Sequence, residues 1–182
     1  MTGHVILGIL VLAGATASAA DRSLAVPFFS QQQNGCGAAS VVMVMHYWGS
    51  LTSKPTTYPT AEEAFQRLYQ PERNGILLGD MKRYLEESGF RAFTFRGHLV
   101  DIEEHLGKGR PLIVTLKKRR TSPIHYVVVT GAAADYITLN DPTRKRTTQL
   151  KWGEFERQWN EADRWMLLAA PRQEIFAATA NP

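Results

Sequence analysis

The sequence predicts an α+β domain in which a central cysteine-bearing helix packs on a mostly antiparallel β-sheet. Residues Ala38–Trp48 (AASVVMVMHYW) are apolar on nearly every side, the pattern of a buried helix. Two runs of strand composition, Ile124–Thr130 (IHYVVVT) and Tyr136–Asp141 (YITLND), follow later in the chain. Only Gly131–Asp135 separates them, short enough for an antiparallel hairpin.

The chain has 182 residues, of which 44% are hydrophobic and 21% charged. That is a globular mixture and the size of one domain, which excludes wholesale disorder. No apolar run reaches the ~18 residues of a membrane span, so a multipass protein is excluded as well. Twenty-one Lys and Arg against 17 Asp and Glu leave a net charge of +4. The balance favours an anionic surface or substrate without naming nucleic acid as a partner.

The chain opens on an export pattern. Val5–Ala13 (VILGILVLA) is an unbroken apolar run, and small residues ending in Ala17-Ser18-Ala19 follow it. Cleavage after Ala19 is expected, giving a signal peptide over residues 1–19. The segment before the apolar run has no Lys or Arg, so an uncut N-terminal membrane anchor is the alternative. No cysteine follows the run to accept a lipid. The folded domain is expected over residues 20–170, with a loose tail over 171–182.

Export makes the single cysteine, Cys36, informative. An unpaired cysteine in an oxidising compartment is a reactive thiol, a site of intermolecular bonding or a small core residue. Here Gly35 and Gly37 flank it, and a polar loop leads into the Ala38–Trp48 helix with Gly49 as its stop. At a helix start, unpaired N–H groups and the helix dipole stabilise a thiolate. The flanking glycines allow close backbone approach.

The intervening chain reads as scaffold. Thr60-Ala61-Glu62-Glu63 is a capping box opening a helix to about Tyr69. Leu77–Ser88 is an amphipathic helix closed by Gly89, Phe90–Phe95 a strand, Val100–Leu106 a short helix and Pro111–Leu116 a strand. After the hairpin come a strand at Thr147–Lys151, a helix carrying Trp152, Phe155 and Trp159, and a strand near Arg164–Leu168.

A thiolate needs a base, and five histidines compete. His4 leaves with the signal, and His46 lies inside the buried helix. His98 and His105 flank a charged helical segment; no cysteine or third ligand supports a metal pair there. His125 opens a strand. If Val129 opposes Ile137 and Val127 opposes Leu139, His125 falls directly opposite Asp141, on the face turned toward the Cys36 helix. Opposed residues lie ~4.5–5.5 Å apart at Cβ, which suits a His–carboxylate hydrogen bond. A slip of one residue would offer Asn140 but bury Tyr136 and Thr138, so register favours Asp141.

These residues resemble a known family. Val26–Ser40, the His125 strand, Asn140-Asp141-Pro142 and the preceding Gly109–Val114 look like the double-glycine (bacteriocin-processing) leader peptidases and their stand-alone relatives, which are papain-like cysteine peptidases. The resemblance runs from Val26 to about Leu168. It implies a papain-like fold, Cys36 as nucleophile, His125 as general base and acid, and Asp141 as the residue orienting the imidazole. It also implies a glutamine donating to the oxyanion. Gln31 is the nearest match, one residue closer to Cys36 than in the transporter-fused members. Gln32 competes with it, and Gln33 follows.

The expected chemistry needs no metal, nucleotide or other cofactor, and these residues include no Gly-rich Walker loop. The partner implied is a peptide or protein substrate, with leader-peptide processing as one form of it and no nucleic acid. An amidase or acyltransferase on cell-wall peptide would use the same triad, and a non-catalytic peptide-binding module is the rival outside enzymes. Two basic runs, Lys117–Arg120 and Arg144–Arg146, are expected at the sheet end bearing His125 and Asp141. They read as a rim for an anionic partner or, more commonly for such runs, as solvated hairpin tips.

Overall fold

A computed structural model describes residues 22–52, 57–144 and 146–172. The expected signal peptide, residues 1–19, and residues 173–182 of the expected tail lie outside the described residues. In chain order the elements are β1 (Arg22–Ser23), α1 (Cys36–Ser50), α2 (Ala61–Leu68), a 3-10 turn (Pro71–Arg73), α3 (Leu78–Glu87), β2 (Phe90–Arg96) and α4 (Leu99–Gly107). They continue with β3 (Leu112–Leu116), β4 (His125–Ala132), β5 (Tyr136–Asn140), β6 (Thr148–Lys151), α5 (Trp152–Asn160) and β7 (Trp165–Pro171). The strands form one sheet in the order β2-β7-β3-β4-β5-β6, every pairing antiparallel, with β1 added to the far end of β4. This is the expected α+β architecture.

Helix α1 owes its existence to burial. It has no side-chain N-cap, no acidic residue in its first turn and no basic residue in its last. Its β-branched Val41, Val42 and Val44 each cost a few tenths of a kcal/mol in helix propensity. All three are at most 1% exposed, and burying such a side chain contributes ~1.5–3 kcal/mol, so packing wins. Helix α2 starts on the expected capping box: the Thr60 N–H donates to Glu63 Oε2 at 2.7 Å, and the Glu63 N–H to Thr60 Oγ1 at 3.2 Å. Gly49 does not stop α1, which runs on to Ser50. It is a close approach instead, because a Cβ there would stand 2.5 Å from Tyr58 Cε2.

The sheet is covered on both faces. Tyr126, Val128 and Ile113 pack with α1, α2 and α3 in one core. Val127, Val129, Ile137 and Leu139 pack in a second with Ile102 and Leu106 of α4 and Phe155 and Trp159 of α5. The sequence reading turned this second set toward the Cys36 helix, and the structure reverses that. Strand β4 is buried from Tyr126 through Gly131, so alternation of apolar and polar residues had no solvent face to report.

The hairpin register also differs from expectation. Val129 pairs with Leu139 rather than Ile137, and Val128 pairs with Asn140. Beyond Thr130 the ladder shifts to Gly131–Thr138 and Ala132–Ile137, a β-bulge on β4. Extending the Val128–Asn140 pairing sets Asp141 opposite Val127. It is therefore a diagonal neighbour of His125 rather than its direct partner, though on the same face. The folded chain also runs past residue 170. Ala170 and Pro171 pair with Arg91 and Phe90, and the Arg172 guanidinium donates to Glu86 O at 3.0 Å.

Candidate active site

Cys36 opens α1, half-buried and free. The approach loop is tight. The Gly35 N–H donates to Gln32 O at 2.9 Å, Asn34 takes a left-handed φ of 60°, and its amide donates to Asn74 Oδ1 at 2.7 Å. The flanking glycines are explained by crowding. A Cβ on Gly37 would stand 2.9 Å from both Ile76 Cγ2 and Met81 Sδ, and one on Gly35 3.1 Å from Phe65 Cδ2.

His125 is the first residue of β4, opposite Leu116 at the open end of the sheet. There, beyond the core that the rest of its face joins, the ring meets both Asp141 and Cys36. Its Nε2 lies 2.6 Å from Asp141 Oδ1, and Cys36 lines the same cleft. Burial opposes a charge on this imidazole, but the Asp141 hydrogen bond, the Cys36 hydrogen bond and their charges outweigh it and raise its pKa to about 9. Burial likewise opposes the Asp141 carboxylate, and the bonds from His125 and Thr143 overcome it, lowering its pKa to about 2. Asp141 Oδ1 also accepts the Thr143 hydroxyl at 2.7 Å and the Thr143 N–H at 3.0 Å. One oxygen thus has three partners.

Asn140 takes no part in that contact. It is 1% exposed; its amide donates to Val26 O at 3.0 Å and its oxygen accepts from Thr147 Oγ1 at 2.6 Å. The next carbonyl but one, Pro142 O, accepts the Gln31 N–H at 3.0 Å. Gln31 lines the same cleft as Cys36, His125 and Asp141, with its side-chain oxygen buried and unpartnered. Gln32 and Gln33 are exposed and outside the lining. His46 is structural, its Nε2 3.2 Å from Pro59 O and its ring between Phe29 and Tyr58. His98 is exposed at the start of α4. Burial lowers the pKa of His105, and neither His98 nor His105 lines the cleft.

The cleft has a volume of about 810 Å³. One wall was not foreseen: Arg73–Leu77, between the 3-10 turn and α3. Gln70 bridges Gly75 there, Asn74 is left-handed at φ 48°, and the Tyr126 hydroxyl donates to Ile76 O at 3.1 Å. The Asn74-Gly75 dipeptide is a turn signal that would have marked the segment as a tight loop.

Residues 23–165 match the model of the Peptidase_C39 like family. The chain belongs to that family. Its fold is the papain-like one that the resemblance implied, and the family is one of peptidases. The chain is 29% identical over 127 residues to the "Probable functional amyloid protease FapD" of Pseudomonas fluorescens, covering 69% of this chain and 53% of that protein. It thus spans about half the length of that curated relative. Solved structures share the fold. The peptidase domain of Streptococcus ComA, a bifunctional ABC transporter of a quorum-sensing pathway, superposes with a TM-score of 0.64 at 17% identity over 80% of this chain and 97% of that one. A C39-like peptidase from Bacillus anthracis gives 0.61 at 15% identity over 84% and 98%. A double-glycine motif protease from an AMS/PCAT transporter, solved with its leader peptide, gives 0.59 at 22% identity over 82% and 94%.

Proposed function

We propose that this chain is an exported peptidase that cuts peptide bonds through Cys36, His125 and Asp141. The observation that carries the reading is the single imidazole that meets Asp141 at 2.6 Å in the cleft that Cys36 also lines. With Nε2 held by the carboxylate, Nδ1 is the nitrogen left to serve Cys36. His125 takes the thiol proton, and the thiolate attacks the scissile carbonyl. Gln31 and the Cys36 backbone N–H hold the oxyanion. The imidazolium then protonates the leaving amine, a thioester remains, and water activated by His125 releases it. Export rests on the Val5–Ala13 run and Ala17-Ser18-Ala19. A signal peptide over residues 1–19 is part of this reading, and leader-peptide processing is the substrate use that the AMS/PCAT relative suggests.

Cys36→Ala and Cys36→Ser are expected to abolish turnover while circular dichroism and thermal unfolding stay near wild type. In the wild type, an alkylating agent should label Cys36 far faster than a free thiol. Turnover by either variant, or labelling at the ordinary rate, would contradict the mechanism.

A further inference from the structure

Three cations reach the cleft from three separate connections: Arg73 from the 3-10 turn, Lys118 from the β3–β4 connection and Arg144 from the β5–β6 connection. The lining also holds two carboxylates. Asp141 is held by His125 and Thr143, and Glu154 accepts from the Gln158 amide at 3.1 Å. Arg73 and Lys118 form no ion pair among the described residues. Arg144 Nε stands 3.7 Å from Asp141 Oδ2, with 61% of its side chain exposed. The charge extends outward. Residues 117–124 read KKRRTSPI and residues 142–147 read PTRKRT, without an Asp or Glu in either. Beside these cations Leu77 and Ile124 remain 38% and 46% exposed, offering apolar contact within the same cleft.

Basic hairpin tips are ordinarily just solvated. Here, loops remote in sequence bring three cations against two carboxylates into one concavity, where low-dielectric walls focus the field. We propose that the cleft selects peptides carrying Asp or Glu close to the bond that is cut. The proposal rests on the peptidase reading above. An extended peptide lying past Cys36 would set its acidic side chains against Lys118, Arg144 and Arg73, while its apolar ones reach Leu77 and Ile124.

The test begins with mass-spectrometric profiling of a random peptide library digested by the wild-type protein. Cut sites should be enriched in Asp and Glu. For the best peptide, replacing its acids by Gln should lower kcat/KM about ten-fold, mainly through KM. That ratio should shrink in roughly 0.5 M salt, where screening acts over a few ångströms, and in the double variant Arg73→Gln, Lys118→Gln. Cutting without acidic enrichment, or equal rates on the acid and amide peptides, overturns the selectivity and leaves the peptidase reading intact. A second arm passes the library over immobilised Cys36→Ala protein, with phosphatidylglycerol vesicles and single-stranded DNA as competitors. Retention of acidic peptides supports acidic recognition by the cleft; a wild type that then cuts nothing overturns the peptidase reading and, with it, the placement of the acids beside a cut bond. Retention of no peptide, or preference for vesicles or DNA, overturns the proposal.

Discussion

On the helix side of the cleft Cys36 is fixed by packing, whereas on the sheet side His125 and Asp141 are fixed by hydrogen bonds. Behind Cys36, α1 is buried from Gly37 to Trp48 apart from His46, and Gly37 has no room for a methyl group. Across the cleft, Asp141 follows the end of β5 and is held by a short turn whose Thr143 is exposed. The difference divides the labour. A core position fixes where an atom sits but tunes its charge only coarsely. A hydrogen-bonded turn at the surface tunes charge finely, and single substitutions can retune it without disturbing the core.

The comparison can be broken most severely at Asp141. Asp141→Ala should lower kcat by about 10²–10⁴-fold with the fold retained, and Asp141→Asn should fall between it and wild type. The sign of the pH effect follows from the His125 pKa. It is raised from 6.5 to about 9, so the protonated ring persists at neutral pH and wild-type activity should decline as pH rises through about 9. Removing the carboxylate should move that decline to lower pH. The same linkage governs stability. The share due to His125 is complete below 6.5 and lost as pH rises through about 9. The share due to Asp141 is present above 3.8 and lost as pH falls through about 2.

Gln31→Ala should come next, at ~10²–10³ in kcat with little change in KM, the cost of losing one oxyanion donor. Gln32→Ala and Gln33→Ala should be near neutral; a sensitive Gln32 would move the oxyanion role by one residue. On the packing side, Gly37→Ala should cost ~1–3 kcal/mol of stability, read as a fall in Tm, because Ile76 and Met81 must give way. The finest test is Thr143→Val, which removes the hydroxyl but keeps shape and N–H. It should reduce kcat only a few-fold and lower the alkaline limb by a fraction of a pH unit, with Thr143→Ser restoring both. An unchanged limb would mean that Asp141 needs no tuning from its turn.

Much of this was legible in the sequence where a local rule decides. The Thr60–Glu63 box opened α2, the apolar run became α1 with Cys36 at its mouth, and the strands came in the expected order. Asp141 meets His125, though as a diagonal neighbour and not by the direct pairing that alternation predicts. Direct pairing needs one buried face and no bulge, whereas β4 is buried on both sides and Thr130 interrupts the ladder. The second buried face has no local signature, because it depends on α4 and α5 arriving from elsewhere in the chain. The Arg73–Leu77 wall was missed for the same reason: its turn dipeptide was readable, its destination was not.

Asn140, Asp141 and Pro142 send three consecutive groups to three different places: the Val26–Pro27 backbone, the His125 ring and the Gln31 N–H. Both the His125 ring and the Gln31 loop therefore wait on the same few ångströms of chain. A nascent molecule whose β5 has not docked lacks the Asp141 contact to His125, however well formed its helix. Under the proposed mechanism, one docking event therefore completes both the triad and the Gln31 loop. In a refolding experiment, protection of the β5 amides from hydrogen exchange and the onset of fast Cys36 alkylation should rise together.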